Sequence, residues 1–236
     1  MNEVKVFIGT SGWMYDWNPN GFDWYVMQSG LNAVELNASY YRFPFTNQIS
    51  SWAKKGSNIR WSIKVNRLVT HIYKFNDKGL NVWNKFKKLF DPMDSLIDFY
   101  LFQLPPSLRF TDAVKSKLKN FIKNSGISSR IAIEGRSVDW FTHDGAKFVN
   151  DLGCVFVSVD APNLPRSIFV SDGVVYLRMH GRYFWYMHDY SEDELKEIAY
   201  SILKSGPERV YIFFNNNHNM LNNARLMLKL FSILEL

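Results

Sequence analysis

The chain has 236 residues, of which 47% are hydrophobic and 21% charged, a composition that excludes a disordered or membrane-embedded protein. Its net charge of +6 favours anionic partners such as phosphorylated metabolites or nucleic acid, although a merely basic surface fits the scattered lysines equally well. The single cysteine, Cys154, excludes an internal disulfide and a cysteine-based zinc site, and its apolar neighbours predict a buried strand thiol.

No apolar stretch is long enough to span a bilayer, and the segment Met1–Lys5 lacks a signal-peptide pattern. We therefore expect a cytoplasmic protein without a membrane partner. Neither a composition break nor a low-complexity linker divides the chain, so residues 1–236 are predicted to form a single domain.

Eight short apolar runs rich in Val, Ile and Phe predict eight strands, and such runs are typical of parallel strands buried on both faces. Helical patterns lie between most of them, including one capped by Thr111 and one opened by a capping box at Ser191. This alternation predicts an α/β fold, a TIM-like (β/α)8 barrel with eight parallel strands. The predicted strands are Val4–Gly9, Ala33–Asn37, Trp61–Val65, Leu96–Phe102, Arg130–Glu134, Cys154–Val159, Val174–Met179 and Val210–Phe214.

Two connections of the predicted barrel are irregular. After the first strand, the aromatic segment Ser11–Pro19 is predicted to be a loop. Between strands six and seven, Pro162, Pro165 and the Asp172-Gly173 pair leave little room for a helix. Long loops after barrel strands usually carry function.

Polar side chains alternate with apolar ones where the predicted strands end. Alternate side chains of a strand share one face, and barrel active sites lie at the carboxyl ends of the strands. We therefore expect these groups to meet around one cavity. The predicted rim comprises Ser11, Glu35, Asn37, Lys64, Asn66, Gln103, Glu134, Arg136, Asp160, Arg178, His180 and Asn215.

Acid–base catalysis needs titratable groups whose neighbours move their pKa values apart. A rim carboxylate beside cations stays ionised and can act as a base, whereas a carboxyl in an aromatic pocket can stay protonated. The alternative is that the charged layer is a closed ion-pair network that only fills space. The predicted catalytic residues are Glu35, Glu134, Asp160 and His180.

The remaining rim groups and the loop aromatics are predicted to bind substrate. Cations would bind its anionic group, amides would orient it, and aromatic rings would stack on a sugar or base, unless those rings only cover the barrel mouth as packing. The predicted binding residues are Trp13, Asn37, Tyr41, Lys64, Gln103, Arg136, Trp140, Arg178 and Asn215.

No cofactor and no metal site is predicted. The rim carboxylates and His180 could ligate a divalent ion, but HExxH-type spacing is missing, and His143 and His188 are expected in loops. A phosphate could bind near His180–Arg182 or Asn215–His218, after strands seven and eight. The equal alternative is that these segments only form a turn and a helix cap.

A series of motifs follows the strand ends along nearly the whole chain. They are Gly9–Trp13, Val34–Asn37, Tyr40–Pro44, Lys64, Arg67, Thr70-His71, Phe102–Pro106, Glu134, Arg136, Trp140, Asp160, Pro162, Arg178–Arg182, Phe214–Asn216 and Asn223-Ala224. In this order, these motifs resemble those of the domain-of-unknown-function 72 (YecE-like) family. The resemblance implies a TIM-like barrel and no established activity. One departure is that Ser137 follows Arg136 where the family often has a histidine.

The leading functional hypothesis is an acid–base enzyme, a hydrolase or a lyase, acting on a small anionic ligand such as a phosphorylated sugar or a nucleotide. A second hypothesis is a protein that binds or processes nucleic acid, similar in plan to barrel repair endonucleases. A third is a non-catalytic barrel that binds a small ligand. A glycosidase fits less well, because a cation-rich rim suits neutral sugars poorly. The oligomeric state is left unpredicted.

Overall fold

The computed structural model describes residues 4–234, which contain eight parallel strands in chain order that close into a barrel. The last strand pairs with the first from Lys5↔Arg209 to Thr10↔Phe214, and this pairing closes the sheet. The predicted parallel eight-stranded barrel is confirmed. The strands are β1 (Lys5–Ser11), β2 (Ala33–Leu36), β3 (Arg60–Lys64), β4 (Ile97–Gln103), β5 (Ile131–Glu134), β6 (Val155–Asp160), β7 (Val174–Met179) and β8 (Arg209–Phe214).

Helices follow seven of the eight strands, and the described chain has no helix between β6 and β7, as predicted. The capping box at Ser191 is confirmed, because its Oγ accepts a hydrogen bond from the Glu194 amide while the Glu194 carboxylate accepts one from the Ser191 amide. The prediction that His143 lies in a loop is wrong, since this residue begins a helix. The helices are α1 (Gly21–Gln28), α2 (Thr46–Lys55), α3 (Asp77–Leu89), α4 (Asp112–Ser125), α5 (His143–Asp151), α6 (Glu192–Lys204) and α7 (Met220–Leu234).

Contacts between residues divide the chain into two compact units. The first unit comprises the residues up to Glu35, Asn58–Arg60 and the residues from Val157 onward. The second unit comprises Leu36–Ser57 and Trp61–Phe156. The prediction of a single domain over residues 1–236 stays a prediction.

Each unit has its own aromatic packing. In the first unit, Tyr211 stacks on Phe7 with ring centroids 4.8 Å apart. In the second unit, Trp83 of α3 packs edge-on against Tyr100 of β4 at 5.0 Å, and both side chains are fully buried. Edge-to-face and offset-stacked pairs of this kind stabilise a core beyond the area that they bury. Much of the high aromatic content therefore lies in the core.

No helix within residues 4–234 combines the length and the apolar character that crossing a membrane requires. Met1–Glu3, on which the expectation about a signal peptide partly rests, lie outside the described residues.

Gly9 allows β1 and β2 to approach closely in the first unit. A Cβ atom at this position would lie 2.1 Å from the carbonyl oxygen of Ala33, which is backbone and cannot rotate away. The Gly9↔Ala33 pair lies two residues before Ser11↔Glu35 in the same register. The position of Glu35 relative to β1 therefore depends on the absence of a side chain at Gly9.

We expect Gly9→Ala to lower the free energy of unfolding by roughly 1–3 kcal/mol, because the added methyl group must displace backbone. Urea denaturation of both proteins measures the difference. The matched control is Gly79→Ala in α3, where the new Cβ would meet its first neighbour at 3.4 Å, an ordinary contact. The control should lose no stability, and an equal loss in both variants would contradict this explanation.

Candidate functional site

Glu35, near the end of β2, lies at the centre of a buried network in the first unit. Its Oε1 accepts hydrogen bonds from Ser11 Oγ at 2.6 Å and from Arg178 Nη2 at 2.6 Å. Its Oε2 accepts from Arg178 Nε at 3.0 Å and from Tyr176 Oη at 2.9 Å. Both Glu35 and Arg178 are 0% exposed. The pair is bidentate, the strongest geometry for this kind of ion pair.

These four donors fill the acceptor capacity of the Glu35 carboxylate. To take a proton from a substrate, the group would have to give up a hydrogen bond and weaken its bond to Arg178. The geometry therefore favours a positioning role for Glu35, and its predicted catalytic role stays a prediction.

The Arg178 side chain also fixes the protonation pattern of His180. Its Nη1 lies 3.4 Å from His180 Nε2, and a guanidinium can only donate. A neutral imidazole that accepts from this guanidinium carries its hydrogen on Nδ1, which lies 3.3 Å from Asn215 Nδ2. Two donors would then face each other, so this tautomer requires the amide turned over, with Oδ1 towards the ring. The first unit thus brings Glu35, Arg178, His180 and Asn215 together.

Asp160, at the end of β6, lies on the other face of the sheet. The register pairs Val159 with Arg178 and Asp160 with Met179. Directly paired residues of neighbouring strands point to the same side, so Asp160 points away from the Arg178 face. The prediction that Asp160 shares a cavity with Arg178 and His180 is therefore wrong, and its predicted catalytic role is untested.

On that other face, Asp160 has partners of its own. It accepts hydrogen bonds from Tyr190 Oη at 3.0 Å and from Arg182 Nε at 3.3 Å. Burial raises the pKa of Asp160 above its ordinary value, and the Arg182 guanidinium opposes this shift. A cavity of about 170 Å³ adjoins the pair and is lined in part by Arg166 and Glu197. A larger depression of about 670 Å³ lies at the amino end of β1, away from all the predicted site residues.

Three predicted site residues of the second unit share one face of the sheet. The register pairs Gln103 with Glu134, and it pairs Lys64 with Leu101, two residues before Gln103. Lys64, Gln103 and Glu134 therefore point to the same side, as the alternation predicts. Glu134 is 0% exposed, and its Oε1 lies 2.9 Å from Arg136 Nε in an ion pair.

Lys64 and His71 meet at one aromatic ring, that of Tyr40. The Lys64 ammonium lies over the ring face, 4.4 Å from the centroid. The His71 imidazole packs edge-on, with centroids 5.2 Å apart and planes at 82°. Its Nδ1 lies 2.8 Å from Thr70 Oγ1. Lys64 is 7% exposed, and its backbone oxygen accepts a hydrogen bond from Ser39 Oγ.

His71 is missing from the predicted site, although Thr70-His71 is one of the motifs that carry the family resemblance. Burial and the charges of Lys64, Arg136, Arg67 and Lys74 lower the pKa of His71 to about 4. The imidazole is therefore neutral near pH 7. Strongly shifted pKa values cluster at functional sites, which makes this ring a candidate site residue.

Two amide side chains of the second unit carry buried acceptors without a partner. Asn37 Oδ1 and Gln103 Oε1 accept no hydrogen bond from any residue within 4–234. Both residues follow or end a strand, and both are predicted to bind substrate. A buried polar atom left unpaired costs about 1–3 kcal/mol, so such atoms call for a functional explanation. A hydroxyl or amine of a ligand would satisfy them.

The predicted aromatic contacts differ in exposure. Trp13 is 6% exposed and packs on Phe22 at 4.7 Å, and Trp140 is 0% exposed and donates to the Leu108 carbonyl oxygen. This burial favours the packing alternative for both tryptophans. Tyr41 is 70% exposed and is available to a ligand.

The loops after β7 and β8 are held by contacts within the protein. The Gly181 amide donates to Tyr190 Oη, and Arg182 pairs with Asp160, Glu194 and Glu197. Asn216 donates to the His188 carbonyl oxygen and to Asn223 Oδ1. These contacts favour the turn-and-cap alternative over a phosphate site in these loops.

Among residues 4–234, no group of three or more His, Cys, Asp or Glu side chains is arranged to hold a metal ion. Cys154 is buried, as predicted, and burial raises the pKa of its thiol to about 12. The thiol is therefore protonated near neutral pH and lacks the thiolate of a reactive cysteine.

The order of strand-end motifs that this geometry displays matches a known family. The family model described as "Protein of unknown function DUF72" matches residues 7–235. The chain belongs to the DUF72 family. No curated protein matches the chain.

Two solved DUF72 proteins are similar in structure. One, from Thermotoga maritima, has 23% sequence identity and a TM-score of 0.82 over 98% of this chain and 100% of its own. One from Enterococcus faecalis has 20% identity and a TM-score of 0.82 over 96% and 95%. A xylose isomerase domain-containing protein from Salmonella typhimurium is more distant, with 12% identity and a TM-score of 0.56 over 91% of each chain. At these identities the similarities show the fold.

In this DUF72 protein we expect Arg178→Met to lower the free energy of unfolding by about 3–5 kcal/mol, because Glu35 is left as an unpaired buried charge. The double variant Glu35→Leu/Arg178→Met should lose less than the sum of the two single losses, since it leaves no charge behind. Urea denaturation measures all three variants.

The control is Lys147→Met, which removes an exposed ion pair with Asp151 and should cost less than about 0.5 kcal/mol. Additive losses at Glu35 and Arg178 would show that the two side chains do not stabilise each other.

The lowered pKa of His71 also predicts a pH effect on stability. An unfolded histidine has a pKa near 6.5, so the unfolded chain binds the proton first as the pH falls. The contribution of His71 is therefore full above about pH 6.5 and is lost as the pH falls through about 4. Denaturation at several pH values should show a shallower fall for His71→Gln than for the wild type.

Proposed function

We propose that this protein is an acid–base enzyme that acts on a polar, anionic substrate, phosphorylated or nucleotide-like, at the carboxyl ends of the barrel strands. The observation that carries the proposal is the pair of unpartnered buried acceptors on Asn37 and Gln103. They belong to the same unit as the cations that surround His71. Such acceptors suit the hydroxyl groups of a sugar or nucleoside.

In this proposal, Lys64 and Arg136 attract the anionic group. Both side chains are largely buried, with 7% of Lys64 and 9% of the Arg136 side chain exposed. Charges in such surroundings are screened less than surface charges, so they act more strongly on a bound anion. Lys64 and Gln103 point to the same side of the sheet. One ligand could therefore contact the Gln103 amide and the Lys64 ammonium together.

Glu134 is our candidate for the group that moves protons. It shares its strand face with Lys64 and Gln103, and it has an ion-pair partner in Arg136. A carboxylate beside a guanidinium stays ionised near neutral pH and can accept a proton from a substrate. Glu35, with four donors of its own, would hold the Arg178 side of the barrel in place. Hydrolysis and lyase-type elimination both use such a base.

The nucleic-acid hypothesis has one structural observation in its favour. In the loop after β7, Tyr183 and Phe184 are 67% and 69% exposed, and exposed aromatic rings can stack on bases. The orphan amide acceptors suit a small ligand better, because they are buried. Salt-dependent binding of an oligonucleotide in an electrophoretic assay would favour the nucleic-acid hypothesis instead. A cytoplasmic location remains part of the proposal.

The first experiment is a thermal-shift screen of sugar phosphates and nucleotides against their dephosphorylated counterparts. We expect only phosphorylated compounds to raise Tm, since a ligand at a hundred times its Kd adds about 2.7 kcal/mol of stability. Lys64→Met should weaken binding of the best compound by about 10- to 100-fold, the effect of losing a charged hydrogen bond. Asn37→Ala and Gln103→Ala should weaken it less.

The matched control is Lys78→Met, which removes an exposed lysine of α3 and should bind like the wild type. Catalysis is then tested by NMR of the bound compound in D2O, which detects both deuterium uptake at carbon and the products of hydrolysis or elimination. Glu134→Gln should bind the compound but stop both exchange and product formation. Equal binding of dephosphorylated compounds, or unchanged binding in Lys64→Met, would contradict the proposed substrate class. Binding with neither exchange nor product formation would favour the non-catalytic barrel.

A further inference from the structure

A π-helical turn, Leu68–Ile72, follows β3 closely and carries His71. Such turns are rare and occur frequently at functional sites. The turn is anchored at its start, because Asn66 Oδ1 accepts a hydrogen bond from the Leu68 amide while its Nδ2 donates to the Ser39 carbonyl oxygen. The backbone is thus built to hold His71 at a set place.

The two ring nitrogens of His71 differ in their surroundings. Nδ1 is paired with Thr70 Oγ1, and Thr70 is 0% exposed, so this partner is fixed. Nε2 has no hydrogen-bond partner within the described part of the chain. The ring itself is partly exposed. Nε2 can therefore reach a ligand without breaking a protein contact.

Four cations from different segments act on this ring, and one of them, Arg136, is paired with the Glu134 carboxylate. Lys64 comes from β3, Arg67 and Lys74 flank the turn, and Arg136 follows β5. The Tyr40 phenol packs on the ring from the segment after β2. These four cations, after burial itself, have the largest effects on the imidazole, and all of them disfavour its protonated form.

We infer that His71 Nε2 and the Lys64 ammonium together bind the phosphate group of the substrate, and that the bound dianion strengthens proton binding by His71. The inference rests on the proposed function and specifies its anion site. In the empty site, burial and the neighbouring cations keep the ring neutral. A bound dianion reverses the local potential, so the imidazolium becomes stable and donates a hydrogen bond from Nε2.

This linkage has a consequence for affinity. Because the dianion and the proton favour each other, the dianion binds more strongly as the pH falls. This effect is confined to the pH range between the pKa values of His71 in the free and in the occupied site. A phosphate monoester suits the site because it is dianionic near neutral pH and has several acceptor oxygens. One oxygen can accept from His71 while another accepts from Lys64.

The test uses NMR of the imidazole C–H protons of the whole protein, with sulfate as the probe because it stays a dianion across the titration range. The chain has five histidines, and His71→Gln identifies the signal of His71. In sodium chloride, we expect the His71 signal to titrate near pH 4. Saturating sulfate at the same ionic strength should raise this midpoint by at least one pH unit. The comparison with chloride at equal ionic strength controls for screening of the cations by salt.

Two lysine variants separate specific binding from a general salt effect. Lys64→Met should raise the His71 midpoint in chloride, because a repelling charge is gone, and should abolish the further rise with sulfate. Lys78→Met should behave as the wild type in both salts. These results would support the inference.

A His71 midpoint that is equal in sulfate and chloride would overturn it, as would an undiminished sulfate effect in Lys64→Met. If phosphorylated compounds bind through Lys64 in the thermal-shift screen while His71 stays unaffected, this inference fails and the proposed function stands. If neither sulfate nor any phosphorylated compound binds, both fail.

Discussion

The buried ion pair between Glu35 and Arg178 is the constraint on which the first unit depends. It joins β2 to β7, two strands that are not neighbours, so it spans the inside of the barrel. Removing two ions from water costs free energy unless the ion pair has good geometry and further hydrogen bonds. Here Ser11 and Tyr176 donate the remaining hydrogen bonds to the Glu35 carboxylate. The same guanidinium then orients His180. One carboxylate thus determines the placement of several polar groups.

The two units use their polar groups differently. In the first unit, Glu35 accepts four hydrogen bonds and Arg182 has three carboxylate partners. Within residues 4–234, both units have two buried amide oxygens without a partner, Asn18 and Asn216 in the first and Asn37 and Gln103 in the second. Only in the second do these oxygens lie in the same unit as His71, a histidine that burial and neighbouring cations keep neutral. This combination favours the second unit as the part that meets the substrate.

The sequence predicted the strands well, because each is a short apolar run bounded by turn residues, and Val174–Met179 agrees at both ends. It also predicted which side chains alternate within a strand. It could not predict which of the two faces a strand turns inward, since that depends on register with its neighbours, and Asp160 shows this. Glu35 and Arg178 are 143 positions apart, so their pairing is invisible in the sequence. His71 is missing from the predicted site residues because it lies on a π-helical turn, which follows neither the strand period nor the α-helical period.

The missing helix between β6 and β7 leaves the outward side of β6 covered by irregular chain. There Ser158 Oγ accepts a hydrogen bond from the Phe169 amide, and Asp160 is paired with Arg182 and Tyr190. Polar contacts with a loop resist opening less than an apolar helix interface does, because water can replace them. The amides of the segment between β6 and β7 should therefore exchange with solvent faster than those of the strands that surround Glu35.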